Sequence, residues 1–382
     1  MSWKKIKISE IGEVVTGKTP PTKDTDNYGG IIPFITPSDM NGDRKIFSTE
    51  RYISERGKAT VKNCVLPPKT ICVSCIGSDM GKVVITTEES ITNQQINSIK
   101  CYDGYDYNFI YYLLLTQNKK IKSLGKNATA VPILNKSKFS DLEVIVPDYS
   151  IQKKISNILK TYDDLIENNK KQIKLLEEAA QRLYKEWFVD LRFPGHEEVA
   201  IVDGVPEGWK ESTLREVALL KAGGDRPKIF SKKRNTECNI PVYSNGTEKE
   251  GLYGYTNVPE IQDDCVTISA RGSVGYICLR RTAFVPIVRL ISAIPKNIDV
   301  IYLYLYLQNF KFDGNGAAQQ QITVPMIKDK SVLLPTKEIL DDFAKMVHPM
   351  QDAIENCKVQ IERLIEARDL LLPKLISGEI EV

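Results

Sequence analysis

The sequence predicts an α+β protein written twice: two α/β domains, residues 1–149 and 209–337, each followed by a long helix, residues 150–188 and 338–376. The helices are expected to pack antiparallel as a coiled-coil-like spacer, giving a pseudo-twofold symmetric chain. Three observations predict this. Similar motifs recur in the same order in both halves. Two long stretches carry an apolar stripe at helical spacing. The segments between them hold short strand patterns broken by Gly and Pro.

The repeat can be followed element by element. "WKKIKISEI" from Trp3 echoes "WKESTLREV" from Trp209, with Ile8 or Leu214 five residues after the Trp and Ile11 or Val217 three further on. "IPFITPSDM" (from Ile32) and "IPVYSNG" (from Ile240) each read as a strand feeding a polar loop. "ICVSCIGSDMG" (from Ile71) matches "VTISARGSVG" (from Val266), a strand entering a Gly-Ser turn, with Ser74 aligned to Ser269 and Gly77 to Gly272. "FIYYLLL" (from Phe109) and "VIYLYLYL" (from Val300) fit buried helices, although their β-branched and aromatic content also suits a strand. "LEVIVP" ending at Pro147 and "SVLLP" ending at Pro335 close each domain as strands.

In the first helical stretch apolar or small residues recur at Ile151, Ile155, Ile158, Tyr162, Leu165/Ile166, Ile173, Leu176, Ala180, Leu183 and Trp187. Spacings of three and four put them on one side, and about 37 residues at 1.5 Å each make a rod of roughly 55 Å. The copies keep one offset: Ile151 with Ile339, Ile155 with Phe343, Ile173 with Ile361, Leu176 with Leu364. Asn169 falls on the seam where Cys357 falls in the second copy, a place where a polar group fixes register. Pro349 is expected to kink the second helix. Residues 189–208 form a linker in which Pro194, Gly195, Gly204, Pro206 and Gly208 exclude continuous helix, and residues 377–382 form a short tail.

Composition excludes several classes. An apolar share of 42% with 26% charged residues is ordinary for a globular protein, and no apolar run spans a bilayer. The opening "MSWKKIKISE" lacks the apolar stretch of a signal peptide, and eight cysteines are too dilute for a disulfide scaffold, so the expected compartment is the cytoplasm. The net charge of +3 is small, but two windows are locally basic. Asn118–Lys138 contains Lys119, Lys120, Lys122, Lys126, Lys136 and Lys138 with no acid, and Lys221–Arg234 holds six basic residues against Asp225 alone. Such runs are commonly solvated surface unless a further feature supports a phosphate track.

Catalytic motifs do not survive weighing. An amino-methyltransferase would carry an Asp/Asn-Pro-Pro-aromatic quartet and a Gly-rich cofactor loop; "LPPK" at Leu66–Lys69 reads as a turn, and "DGNGA" at Asp313–Ala317 as another. Asp39, Asp43 and Lys45 in "PSDMNGDRK" resemble a metal-dependent nuclease triad, but a tight Asn-Gly turn separates them and the second half has no counterpart. "CVSC" at Cys72–Cys75 is half a zinc motif, and its repeat partner "TISA" lacks both sulfurs, so packed strand cysteines are expected. No metal and no cofactor in this chain is therefore the expectation. Polar clusters in loops are the stronger signal: Thr36, Ser38, Asp39; Ser78, Asp79; Asn93, Gln94, Gln95; Asn127, Thr129; Ser244, Asn245; Arg271, Ser273; Gln319, Gln320, Gln321. Side-chain amides pair bidentately with adenine and Arg with guanine, while neighbouring cations, here Lys18, Lys82, Lys126, Arg226 and Lys228, suit phosphate. Each loop alone is also ordinary turn chemistry; recurrence beside basic windows in both halves favours double-stranded DNA. The competing class is a coiled-coil adaptor that binds proteins through two repeated domains.

Two such domains, each followed by a long helix opening "I-x3-I/F-x2-I/M", together with the Trp openings at Trp3 and Trp209, "TNQQIN" at Thr92–Asn97 and the closing "LLLPKLISGEIEV", resemble the specificity subunits of type I restriction-modification systems. The resemblance implies that each domain is a target recognition domain reading half of a bipartite sequence, and that the chain is not itself an enzyme. It further implies two modification subunits carrying S-adenosylmethionine, and restriction subunits that can join. The second half departs from the pattern, with "FVPIVRL" where "TNQQINSI" is expected. Trp187, Phe188, Leu371 and Leu372, at the helix ends, are the expected partner-binding residues.

Overall fold

The structure, a computed structural model, describes residues 3–125, 132–310 and 321–382. The chain divides into two compact units, Met1–Lys170 with Val359–Val382, and Lys171–Lys358. The division falls inside both long helices, so each unit takes a part of each.

The first unit centres on a sheet ordered Gly12–Thr16, Ile96–Cys101, Ile71–Ser74, Val83–Thr86 and Lys45–Ile46. A second sheet is ordered Tyr52–Ile53, Tyr28–Ile35, Ser90–Thr92 and Val65–Leu66, with Phe34 opposite Ile91 in a parallel pair. The strand Lys4–Lys7 pairs with Glu143–Val146. Helix Tyr107–Thr116 is capped by Asp106, whose carboxylate accepts from the Phe109 amide at 2.9 Å. That helix is apolar on every face, which suits only a buried position, and Phe109 through Leu114 are all buried. The core joins these residues to Ile8, Ile11 and Phe139, to Ile155 and Leu159 of the first long helix, and to Leu375 and Ile376 of the second.

The second unit repeats this plan. Its main sheet is ordered Ala218–Ala222, Ile291–Pro295, Cys265–Ile268 and Ile277–Arg280, and a smaller one Leu252–Thr256, Ile240–Tyr243 and Val285–Pro286. Here Val242 lies parallel to Val285 as Phe34 does to Ile91. Lys210–Thr213 pairs with Ser331–Leu334, and helix Val300–Asn309 is buried like its counterpart. Both "FIYYLLL" and "VIYLYLYL" are therefore helices, because a capping Asp precedes each and sheet partners are already complete. In the linker, Ile201–Val202 and Val205–Pro206 make a hairpin turned by Asp203 and Gly204, both at positive φ.

The first long helix runs Tyr149–Tyr184 and continues as a wider π turn, Lys185–Val189. The looser turn lets the adjacent rings of Trp187 and Phe188 both reach the core. The second runs Lys337–Ser377 without a break; Pro349 does not end it, since buried Val347, Gln351 and Ile354 hold both sides of the missing hydrogen bond. Pairings within each unit show that the two helices are antiparallel. In the first unit Asp163 meets Arg368 and Asn169 meets Gln360; in the second Gln172 meets Cys357 and Trp187 meets Phe343. Asn169 is buried, and its amide donates to Gln360 at 3.1 Å, the register contact expected of a polar seam residue. Among the described residues no helix is long and apolar enough to cross a membrane.

Asp163 is the buried junction of the first unit. Its carboxylate accepts from the Tyr112 hydroxyl at 2.5 Å and from Arg368 at 2.6 Å, tying the core helix to both long helices. Arg44, also buried, reaches neighbouring Asp164 at 2.5 Å and Glu167 at 3.3 Å. Burial of Tyr112 beside this carboxylate pushes its phenol far above the usual range, first through desolvation and then through the negative charge. Removing one partner of a buried ionic cluster leaves the others uncompensated. Asp163→Ala should therefore lower the stability of this unit by about 3–5 kcal/mol, against about 1 kcal/mol for Tyr112→Phe, measured by urea unfolding. An Asp163→Ala midpoint within error of the wild type would remove the junction from the account.

Candidate nucleic-acid interface

In the first unit, loops gather where the central strands end. Thr36–Asp39 is a self-capped turn: the Asp39 carboxylate accepts from the Thr36 amide at 2.8 Å and hydroxyl at 2.7 Å, and from the Glu50 amide at 2.9 Å. Lys82 binds the Pro37 carbonyl at 3.3 Å and pairs with Asp79 at 2.9 Å, linking this turn to the Gly77–Lys82 loop. Gln95 holds its carbonyl to the Cys75 amide at 2.8 Å, and its side-chain oxygen accepts from the Asn93 amide group at 3.0 Å. Thr19 donates to the Gln94 side-chain oxygen at 2.8 Å.

The second unit brings the equivalent loops together with different side chains. The Asn245 oxygen accepts from the Ala270 amide at 2.7 Å, and its amide donates to the Val288 carbonyl at 2.7 Å, so one side chain bridges two loops. Arg271 donates to Gln321 at 3.2 Å. The segment Gly223–Gly224 lies against residues 286–289, with Val288 and Arg289 amides donating to Gly224 and Gly223 carbonyls. A Cβ on Gly223 would lie 2.6 Å from the Pro286 carbonyl, which explains a glycine there. The Arg226 guanidinium sits 5.0 Å from the Phe230 ring centre.

Half of the expected residues therefore meet: Thr36, Ser38, Asp39, Asp79, Lys82, Asn93, Gln94 and Gln95 in one unit, and Asn245, Arg271 and Gln321 in the other. Asp39 and Asn245 spend their polar atoms within the protein and shape the loops rather than presenting free groups. Lys18, Ser78, Ser244, Ser273, Arg226 and Lys228 lie on the same loops or next to them. Lys126, Asn127, Thr129, Gln319 and Gln320, and the DGNGA turn, fall outside the described residues. Thr19 and Arg289 join these loops without being expected from the sequence, since it is tertiary contacts, Thr19 to Gln94 and the Arg289 amide to Gly223, that bring them there.

One expectation changes. Trp187 and Phe188 are buried, not facing a partner: Phe188 packs 4.7 Å from Phe343 and 4.9 Å from Tyr302, ring centre to ring centre, because the π turn directs both rings inward. Leu371 and Leu372 are half-buried against the first unit's core. Asp43 pairs with Lys170 at 2.5 Å and Asp39 caps its turn, so the two do not form a metal site. Among the described residues no cluster of His, Cys, Asp or Glu is arranged to hold a metal. Cys72 on its strand and Cys75 just past the strand end are buried thiols, pushed up to about 12 and about 11 by desolvation.

The family described as the type I restriction modification DNA specificity domain matches residues 1–178 and 206–367. The chain belongs to that family. It is a specificity subunit, a non-catalytic component of a type I restriction-modification system whose partners are DNA and methyltransferase subunits. It is 29% identical to the type I restriction enzyme MjaIX specificity subunit of Methanocaldococcus jannaschii, covering 100% of this chain and 94% of that one. It is 37% identical over 175 residues to the HindI specificity subunit of Haemophilus influenzae, 44% of this chain and 38% of that one. The fold is similar to the S subunit of a type I system from M. genitalium, with a TM-score of 0.62 at 18% identity, over 98% of this chain and 96% of the other. In this specificity subunit the Asn245 bridge should hold the second unit's loops: Asn245→Ala orphans the Ala270 amide and the Val288 carbonyl and should cost about 2 kcal/mol. Thermal denaturation checks this, and a loss below about 0.5 kcal/mol, the surface-substitution range, would mean that the loops do not depend on it.

Proposed function

We propose that each unit reads one half of a bipartite duplex through the loops at its strand ends. The observation that carries this is the duplication itself: one strand-end cluster, built on the same backbone hydrogen bonds, occurs twice in a single chain with different polar side chains. A protein with one binding role has no need of two differently furnished copies. In this reading the amides of Gln94 and Gln95, held in place by Thr19 and Asn93, and the groups of Ser38, Ser78, Ser244, Arg271, Ser273 and Gln321 face base edges, with Asn127, Thr129, Gln319 and Gln320 in neighbouring loops. Lys18, Lys82, Lys126, Arg226 and Lys228 neutralise phosphate. Two methyltransferase subunits carry the S-adenosylmethionine and perform the chemistry, restriction subunits join for cleavage, and the assembly works in the cytoplasm. Partner contacts then fall on exposed helix surface rather than on Trp187 and Phe188.

The phosphate role has a simple signature. Arg226→Gln and Lys228→Gln should each weaken binding about equally for all sequences and reduce the salt slope of log K by about 1. Titration of the full chain with duplex DNA at several salt concentrations checks this; an unchanged slope for both removes them from the phosphate track.

The long helices are proposed to set the unread gap between half-sites. One heptad inserted after Ile173 and another after Ile361 keeps the apolar faces in phase and lengthens the pair by roughly 10 Å. That equals about three base pairs of B-DNA, with a rotation near 100° that can weaken binding. Sequencing of methylated bases in cells carrying the variant should show the same half-sites farther apart, or lost modification. An active variant with the original gap, or with new half-sites, refutes the role.

A further inference from the structure

The second unit lacks the Asn-Gln-Gln loop of the first, and what replaces it is legible in the backbone. Gly17 donates to the Ile96 carbonyl at 3.0 Å, and Gly223 to the Leu290 carbonyl at 2.8 Å. Asn93 donates to the Ile35 carbonyl at 3.1 Å, and Ile287 to the Tyr243 carbonyl at 2.9 Å. From either anchor, Asn93-Gln94-Gln95 corresponds to Ile287-Val288-Arg289. Arg289 therefore stands where Gln95 stands.

The replacement loop is built to present that arginine. Val288 and Arg289 both have left-handed backbones, with φ of 54° and 62°. This is strained, above all for β-branched Val288, and persists only where surroundings enforce it. They do: the Val288 amide donates to the Gly224 carbonyl at 2.9 Å, the Arg289 amide to the Gly223 carbonyl at 3.0 Å, and Asn245 binds the Val288 carbonyl. Both side chains are exposed, and among the described residues the Arg289 guanidinium has no hydrogen-bonding or ionic partner. In the first unit Thr19 and Asn93 instead hold the oxygens of Gln94 and Gln95, which orients their amides.

We propose that Arg289 is the residue with which this loop of the second unit reads a base, and that it takes a guanine through its O6 and N7 in the major groove, where the first unit presents glutamine amides suited to adenine. A guanidinium offers two parallel donors to the two acceptors of guanine, and a side-chain amide offers one donor and one acceptor to adenine. The two half-sites then differ in the base pair read at this loop. The inference rests on the DNA reading above, and the test separates the two.

The full chain is used to select from randomised duplexes, and bound sequences are counted. A wild type that enriches no sequence overturns the DNA reading itself. With a bipartite motif in hand, Arg289→Ala should lose roughly tenfold to a hundredfold preference for guanine at one base pair of one half-site, and leave the other half-site unchanged. Arg289→Lys should relax the same base pair, because an ammonium keeps the charge but not the fork, and Arg289→Gln should shift it towards adenine. An unchanged motif in Arg289→Ala, uniform weakening for all sequences, or full guanine preference in Arg289→Lys overturns the assignment. So does loss of all binding by both the Ala and Lys variants, since one base contact cannot carry the whole affinity; thermal denaturation confirms that the variants are folded.

Discussion

Neither unit closes its core without both long helices. Ile155 and Leu159 from one helix and Leu375 and Ile376 from the other complete the first core, while Ala180, Tyr184, Phe343 and Val347 complete the second. Burial of these faces is the main stabilising term for helices too long and too polar on one side to persist alone. The first unit is therefore discontinuous in sequence: the last residues of the chain belong with the first. Gly378 shows how close that return is, since a Cβ there would meet the Trp3 ring at 2.9 Å.

The polar contacts decide orientation rather than bulk stability. Asp163, Tyr112 and Arg368 fix how the core helix of the first unit meets the helix pair, and Arg44 with Lys45 ties a loop to Asp164 and Glu167. In the second unit Lys358 and Arg281 bind Glu250 and Asp352, so the same kind of attachment is made with other charges. Buried ionic groups are weak sources of net stability but discriminate strongly between packings. On the proposed reading, in which the loops face a duplex, that discrimination sets how they are presented.

Within the loops, side chains divide into those that shape and those that remain free. Asp39, Asn93 and Asn245 satisfy backbone or neighbouring polar groups and hold the turns. What they hold outward differs between copies: Gln94 and Gln95 in the first, Val288 and Arg289 in the second. Base recognition requires such fixed placement, because a donor displaced from the base edge loses the bidentate geometry that discriminates.

The repeat, the two long helices, the strand entering each Gly-Ser turn and the packed cysteines were all determined by the sequence, because periodicity, turn residues and internal repetition are local signals. Which loops carry the candidate interface was also legible, since polar clusters recur at matched places. The burial of Trp187 and Phe188 was not, because it depends on a π turn that only the waiting core of Phe343, Tyr302 and Trp209 makes favourable. Nor could spacing show that Asp39 is consumed by its own turn or that Arg289 replaces Gln95. The first follows from side-chain contacts to Thr36 and Glu50, and the second from backbone hydrogen bonds between distant segments, pairings that exist only once the sheets have formed.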